Sequence, residues 1–257
     1  MTRALVTIAL MTPQDEPARV AMWSGPRNLS TALLRSWGNR EDTAVTDEPL
    51  YAHYLRHTGI DHPGRDAVLA AQDSDWRRVV AWLRGPIPDG KRVWYQKHMT
   101  HHITDDVELD WVDDLRNCFL IRAPAEVISS YARVRSEPTL RDLGLPQQWR
   151  LFCHVRQRCG TIPLVIDAAD LLRDPPGILR ALCAAVGVAY TERMLSWPPG
   201  PRDTDGVWAP HWYGSVERST GFAPYRPRDV AAPPQFTQLV TAAEQIYQRM
   251  AEHRLAA

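Results

Sequence analysis

VAMWSGPRNLSTALLR, residues 20–35, decides how this chain is read. An apolar run of strand character passes through a Ser-Gly-Pro-Arg turn into an amphipathic helix, which makes the helix start an anion cradle. The first backbone N–H groups of a helix lack intrahelical partners, and the macrodipole adds about half a positive charge there. Arg27, Asn28, Ser30 and Thr31 add side-chain donors, with Ser24, Gly25, Pro26 and Leu29 completing the loop. An ATP-type phosphate loop would read G-x-x-x-x-G-K-[ST], whereas this turn has no Gly-Lys pair and places an arginine two residues after Gly25. It reads as a phosphate loop of another kind or, taken alone, as a plain strand-to-helix turn.

Outward from this loop, β-rich runs recur at 19–23, 43–46, 93–96, 117–121 and 162–167, with helical patterns between them. That alternation predicts an α/β domain with a mostly parallel central sheet flanked by helices on both faces. Leu29, Leu33 and Trp37 share one helical face, as do Val127, Tyr131 and Val134. Asp174-Pro175-Pro176 reads as a cap and helix entry before the stripe Ile178, Leu179, Leu182, Cys183 and Val186, and residues 236–250 mark a last helix. Residues 197–234, rich in Pro, Gly and Trp, are too long for a passive connection and are expected to be a lid or binding segment.

The chain has 257 residues, the size of one α/β domain, and we expect residues 18–257 to form it behind a flexible leader at 1–17. Thirty basic and thirty acidic side chains cancel, which argues against a general nucleic-acid or membrane-surface binder and favours a small-molecule partner. The apolar run near the N-terminus lacks a cleavage site, and no apolar stretch approaches the ~20 residues needed to cross a bilayer. Cys118, Cys153, Cys159 and Cys183 show no C-x-x-C spacing and read as reduced, buried thiols of a cytoplasmic protein. Only two lysines, Lys91 and Lys97, stand against twenty-eight arginines, and Lys97 ends the run VWYQK, where a mobile ammonium acts differently from a guanidinium fork.

Ligands of parallel sheets lie beyond the carboxyl ends of the strands. The residues that can meet there are Arg27 to Thr31, Asp47 and Glu48, Lys97 and His98, Arg122, and Asp167 and Asp170. In LIRAPAEVISS, residues 120–130, Arg122 stands at a strand end, Pro124 at a helix start and Ser130 further along that helix, so Arg and Ser can share one phosphate. Trp208, Trp212 and Tyr213 either pack in the core or line an acceptor pocket. No metal is expected at the histidines His53, His57, His98, His101 and His102, which lack an H-E-x-x-H or paired C-x-x-C pattern.

The strand–loop–helix of residues 20–35, together with Arg-x-Pro and a Ser eight residues after the Arg, resembles the sulfotransferases that use 3′-phosphoadenosine 5′-phosphosulfate (PAPS). VIDAADLLRDPPGILRALCAAVGV is similar to that family's acidic-Leu-Leu-x-x-Pro helix entry, and VERSTGF resembles its late loop. The resemblance implies a three-layer fold of the P-loop type, PAPS as donor, 3′,5′-ADP as product and no required metal. It assigns the 5′-phosphosulfate to Arg27 through Thr31, the 3′-phosphate to Arg122 and Ser130, and loop closure to Ser219, Thr220 and Gly221. Tyrosylprotein-type and bacterial members carry a glutamate about twenty residues after the loop arginine, where Glu48 falls, and a Lys-Asp pair where this chain has Lys97-His98. Leu29 occupies a position where many members have glycine.

Sulfuryl transfer builds charge on the leaving phosphate, which Arg27, Lys97 and helix-end N–H groups would stabilise. Either Glu48 or His98 would then take the proton of a small-molecule hydroxyl or, less expected, amine. Two other classes remain at this stage: an ATP-dependent small-molecule phosphotransferase and a nucleotide-binding protein without turnover.

Overall fold

The computed structural model describes residues 16–227, 230 and 232–256; all but the last two residues of the expected leader lie outside them. Five strands, β1 (Ala18–Ser24), β2 (Thr43–Asp47), β3 (Val93–Met99), β4 (Arg116–Ile121) and β5 (Leu164–Asp167), form one sheet in the order β2-β3-β1-β4-β5. Every pairing is parallel. Each strand coincides with an expected β-rich run, but β3 runs three residues beyond it, through Lys97 to Met99, and β5 starts two residues late, after Pro163, which cannot donate to a ladder.

Strand alternation builds two cores, one per face. Ala21 and Trp23 of β1 join Trp94, Phe119 and Val165 on one face, beneath α4 (Trp76–Leu83), α6 (Leu145–Cys159) and the last helix, α11 (Thr237–Ala251). Val20 and Met22 join Tyr95, Leu120 and Ile166 on the other, beneath α1 (Ser30–Gly38) and α8 (Pro175–Ala185). The result is three layers, with apolar residues on both sides of the sheet as continuous apolar strands require.

The remaining helices are α2 (Tyr51–Thr58), α3 (Arg65–Ala71), α5 (Pro124–Tyr131), α7 (Ala168–Arg173) and two short ones, α9 (Ala209–Trp212) and α10 (Gly214–Glu217). Asp174 caps α8 as expected, its carboxylate accepting from the Gly177 N–H at 3.0 Å. The α5 stripe is shorter than its periodicity implied: Val127 and Tyr131 are buried, but the helix ends at Tyr131 and Val134 is 54 % exposed. Cys118 and Cys183 are buried, whereas Cys153 and Cys159 are exposed on α6, so only half of the expected buried thiols are so; all four are free.

Residues 197–227 do not wander over the surface. Arg35 of α1 pairs with Asp205, both side chains almost fully buried, and Ser196 bridges Gly221. Trp208 and Tyr213 are buried against Tyr51, Leu55 and Val68. Among the described residues no helix is long and apolar enough to cross a membrane.

Candidate active site

The loop between β1 and α1 has two non-glycine residues in the left-handed region, Arg27 and Leu29, each at φ 63°. Such backbone costs about 1–2 kcal/mol per residue and persists only where the surroundings hold it. The grip is visible. Gly25 is pressed so close to the Leu143 carbonyl that a Cβ would collide with it. Asn28 is buried with its amide donating to the Leu120 carbonyl at 3.3 Å, and Arg122 donates to the Arg27 carbonyl at 3.0 Å. Leu29 is the N-terminal flank of α1 and supplies no side-chain cap, and the first turn holds no acidic residue. The N–H groups of that turn therefore remain open to an anion. Leu29 thus holds a backbone conformation that glycine adopts without strain.

One cavity of about 950 Å³ opens at the carboxyl ends of the strands. Of the residues expected to bind a donor, Pro26, Arg27, Asn28, Leu29, Ser30, Thr31, Arg122, Ser130, Ser219 and Gly221 line it. Arg27 joins the two expected anion clusters directly: its Nε donates to the Ser130 hydroxyl at 3.0 Å. Arg122, between β4 and α5, is held by Glu126 of α5 at 2.5 and 2.9 Å, a partner the sequence reading did not weigh. Burial, then Arg122 and Arg133, lower the pKa of Arg27, the mark of cations gathered without enough anions. Among the described residues, seven cationic side chains and three carboxylates line the cavity, with Asp47 and Asp170 just outside it pairing with Lys97 and with Arg173 and Arg254.

Three expected loop residues frame the cavity without lining it. Ser24 is buried with its hydroxyl 3.9 Å from the Met99 sulfur, Gly25 serves the close approach already described, and the Thr220 carbonyl accepts from the Trp197 N–H at 3.0 Å. Ser219 reaches the rim while its hydroxyl donates to the Val216 carbonyl at 2.6 Å.

At the other end of the cavity the pairing Asp47↔Lys97 between β2 and β3 places an acid and a base side by side on one face. Lys97, 1 % exposed, donates to Asp47 at 2.8 Å, to Glu48 at 2.6 Å and to the Tyr213 hydroxyl at 2.9 Å. Tyr213 in turn donates to Asp47 at 2.5 Å. Burial opposes the ammonium, but Asp47 and Glu48 outweigh it and hold Lys97 protonated well above its ordinary range. One cation cannot neutralise two carboxylates. Burial therefore pushes Glu48 up to about 7 against the pull of Lys97, with Asp47 adding to the rise. Glu48 is also at φ 43°, its N–H bonded to the Lys97 carbonyl at 2.9 Å, and its side chain lines the cavity.

His98 does not share this position, and the expectation that it might act as base is corrected. Neighbours on a strand face opposite ways, so His98 points to the far side of the sheet. There it stacks on Trp23 at 4.3 Å and contacts Gln96 at 3.2 Å, fully buried and outside the cavity; burial alone lowers it to about 3.

On the wall beside Glu48 the sequence reading had named Trp212 and Tyr213, as core or pocket residues, but not His102 or Tyr51. His102 lines the cavity with its Nε2 3.9 Å from Glu48, stacked on Tyr51 at 4.6 Å and on Tyr54 at 4.9 Å, and neither ring nitrogen has a hydrogen-bond partner. Burial keeps it neutral, so it offers one donor and one acceptor. Tyr51 and Trp212 complete the wall. The available signal was the Tyr51/Tyr54 spacing on a helix directly after Glu48.

A family model described as "Sulfotransferase domain" matches residues 18–254. Two Arabidopsis thaliana proteins, branched-chain-amino-acid aminotransferase-like proteins 1 and 2, are 39 % and 36 % identical over 81 % and 78 % of this chain. The matches span only 37 % and 35 % of those relatives. The sulfotransferase domain of the Synechococcus PCC 7002 olefin synthase has the same fold, with a TM-score of 0.58 at 18 % identity, covering 92 % of this chain and 96 % of that one.

Proposed function

The chain belongs to the sulfotransferase-domain family, and from that premise we propose that it moves a sulfuryl group from PAPS to the hydroxyl of a small molecule. The observation that carries this reading is the Arg27–Ser130 hydrogen bond. It brings the helix start of α1 and the Arg122/Ser130 pair together in one cavity of about 950 Å³, which supports a ligand with phosphate at both the 5′ and 3′ positions.

The residues present suit that donor. Open N–H groups and Arg27 receive the 5′ phosphosulfate, Arg122 and Ser130 the 3′ phosphate, and the buried unpartnered Asn28 Oδ1 stands ready for a donor hydrogen. In the transfer a bond forms between acceptor oxygen and sulfur while the bond from sulfur to the bridging phosphate oxygen breaks, giving 3′,5′-ADP. Glu48 accepts the acceptor's proton. Lys97 and Arg27 stabilise the charge that develops on the departing phosphate, the kind of preorganised electrostatics that dominates such reactions. Tyr213 and Asp47 hold the Lys97 ammonium in place.

Purified protein incubated with PAPS and a panel of hydroxylated and amino metabolites is expected to yield a product heavier by one sulfuryl group. Magnesium-dependent ATP consumption with no sulfuryl product would overturn the reading in favour of phosphoryl transfer.

A further inference from the structure

His53 and His57 stand one turn apart on α2, and Asp106 approaches them from the segment that follows β3. The His57 Nδ1 is 3.2 Å and the His53 Nε2 3.7 Å from the same Asp106 oxygen, and the three ligand atoms all lie within 4.8 Å of one another. Ligands held tetrahedrally at 2.0–2.2 Å from a zinc ion are separated by about 3.4 Å, so little movement is needed to close on an ion.

Hydrogen-bond accounting points the same way. The His53 Nδ1 faces the Ser74 carbonyl at 3.3 Å, an oxygen that only accepts, so the ring proton belongs there. The Nε2 lone pair then faces the Thr104 hydroxyl at 2.7 Å, and that hydroxyl also lies 2.6 Å from Asp106. One Thr104 proton is left to serve two acceptors. A cation at Nε2 resolves the conflict: Thr104 donates to Asp106, Ser74 fixes the His53 tautomer, and both carry out the orienting role that groups behind metal ligands usually play. His57 and Asp106 are about two-fifths exposed, which leaves an entry path and room for water to complete the coordination.

We propose that His53, His57 and Asp106 form a site for a divalent transition metal of the zinc class. None of the three lines the cavity. The ion would join α2, which carries Tyr51 and Tyr54, to the segment after His102, and so brace the wall beside Glu48 from behind. It would be a clamp, not a participant in transfer, and the proposal stands whether or not PAPS is the donor.

Tag-free full-length protein, stripped with chelator and titrated with zinc(II) in a calorimeter, is expected to bind one equivalent. His57→Ala and Asp106→Asn, both at exposed side chains, should each weaken that binding at least about tenfold. Zinc should raise the Tm of the parent protein and not that of His57→Ala. The proposal is overturned if the parent protein takes up no zinc, or if both variants bind it as the parent does.

Discussion

Glu48 and His98 differ in what a proton acceptor for the proposed transfer would need. Both are buried, Glu48 just after β2 and His98 within β3, but only Glu48 faces the cavity, and only Glu48 is balanced against a neighbouring cation. With its acid pushed up to about 7, the base form is populated above that value, so kcat/KM should rise with pH through about 7 and level off. Glu48→Gln should lower kcat by about 10²–10⁴ and remove that rise while leaving 3′,5′-ADP affinity nearly unchanged. A Glu48→Gln enzyme with the parent's pH profile would refute the assignment. His98→Ala should behave oppositely, losing about 2–5 kcal/mol of stability in denaturant titration through the space left beside Trp23, with turnover per folded molecule retained.

At the scale of elements, the loop before α1 and the segment after residue 197 are the two parts under constraint. Leu29 holds a left-handed backbone that glycine adopts without strain and a β-branched residue adopts worst. Leu29→Val should therefore be less stable than Leu29→Gly in chemical denaturation, and the reverse order would show that Leu29 packing outweighs its backbone. Asp205 anchors the later segment to α1 through buried Arg35. Removing it in Asp205→Ala leaves that guanidinium uncompensated, and a loss of about 3–5 kcal/mol is expected. A change below about 0.5 kcal/mol would mean that Arg35 finds water instead. The strands were legible because apolar periodicity is local, and so was the β1–α1 loop. The ends of α5 were not: Val134 continues the periodic stripe, yet the backbone leaves the helix after Tyr131. Likewise Asp205 carries no local sign of its partner, which lies 170 residues away.

For the molecule as a whole, neutrality in the sequence concealed a cavity lined by more cations than carboxylates, because net charge says nothing of where charges gather. Lys97 could be singled out by its rarity, and its pairing with Asp47 follows from strand register, but Tyr213 reaches that pair only through tertiary folding. His102 was equally hidden, since its role depends on Tyr51 and Tyr54 stacking around it. The account rests on one cavity holding both phosphates of a 3′,5′-bisphosphorylated nucleoside. Its most direct test is calorimetric titration, without divalent metal, of the parent protein and Arg122→Ala with 3′,5′-ADP and with 5′-AMP. The parent should prefer 3′,5′-ADP by at least about tenfold, and Arg122→Ala should lose about 1.5–3 kcal/mol on 3′,5′-ADP and little on 5′-AMP. Equal affinity of the parent for the two nucleotides, or a preference that survives Arg122→Ala, would contradict it.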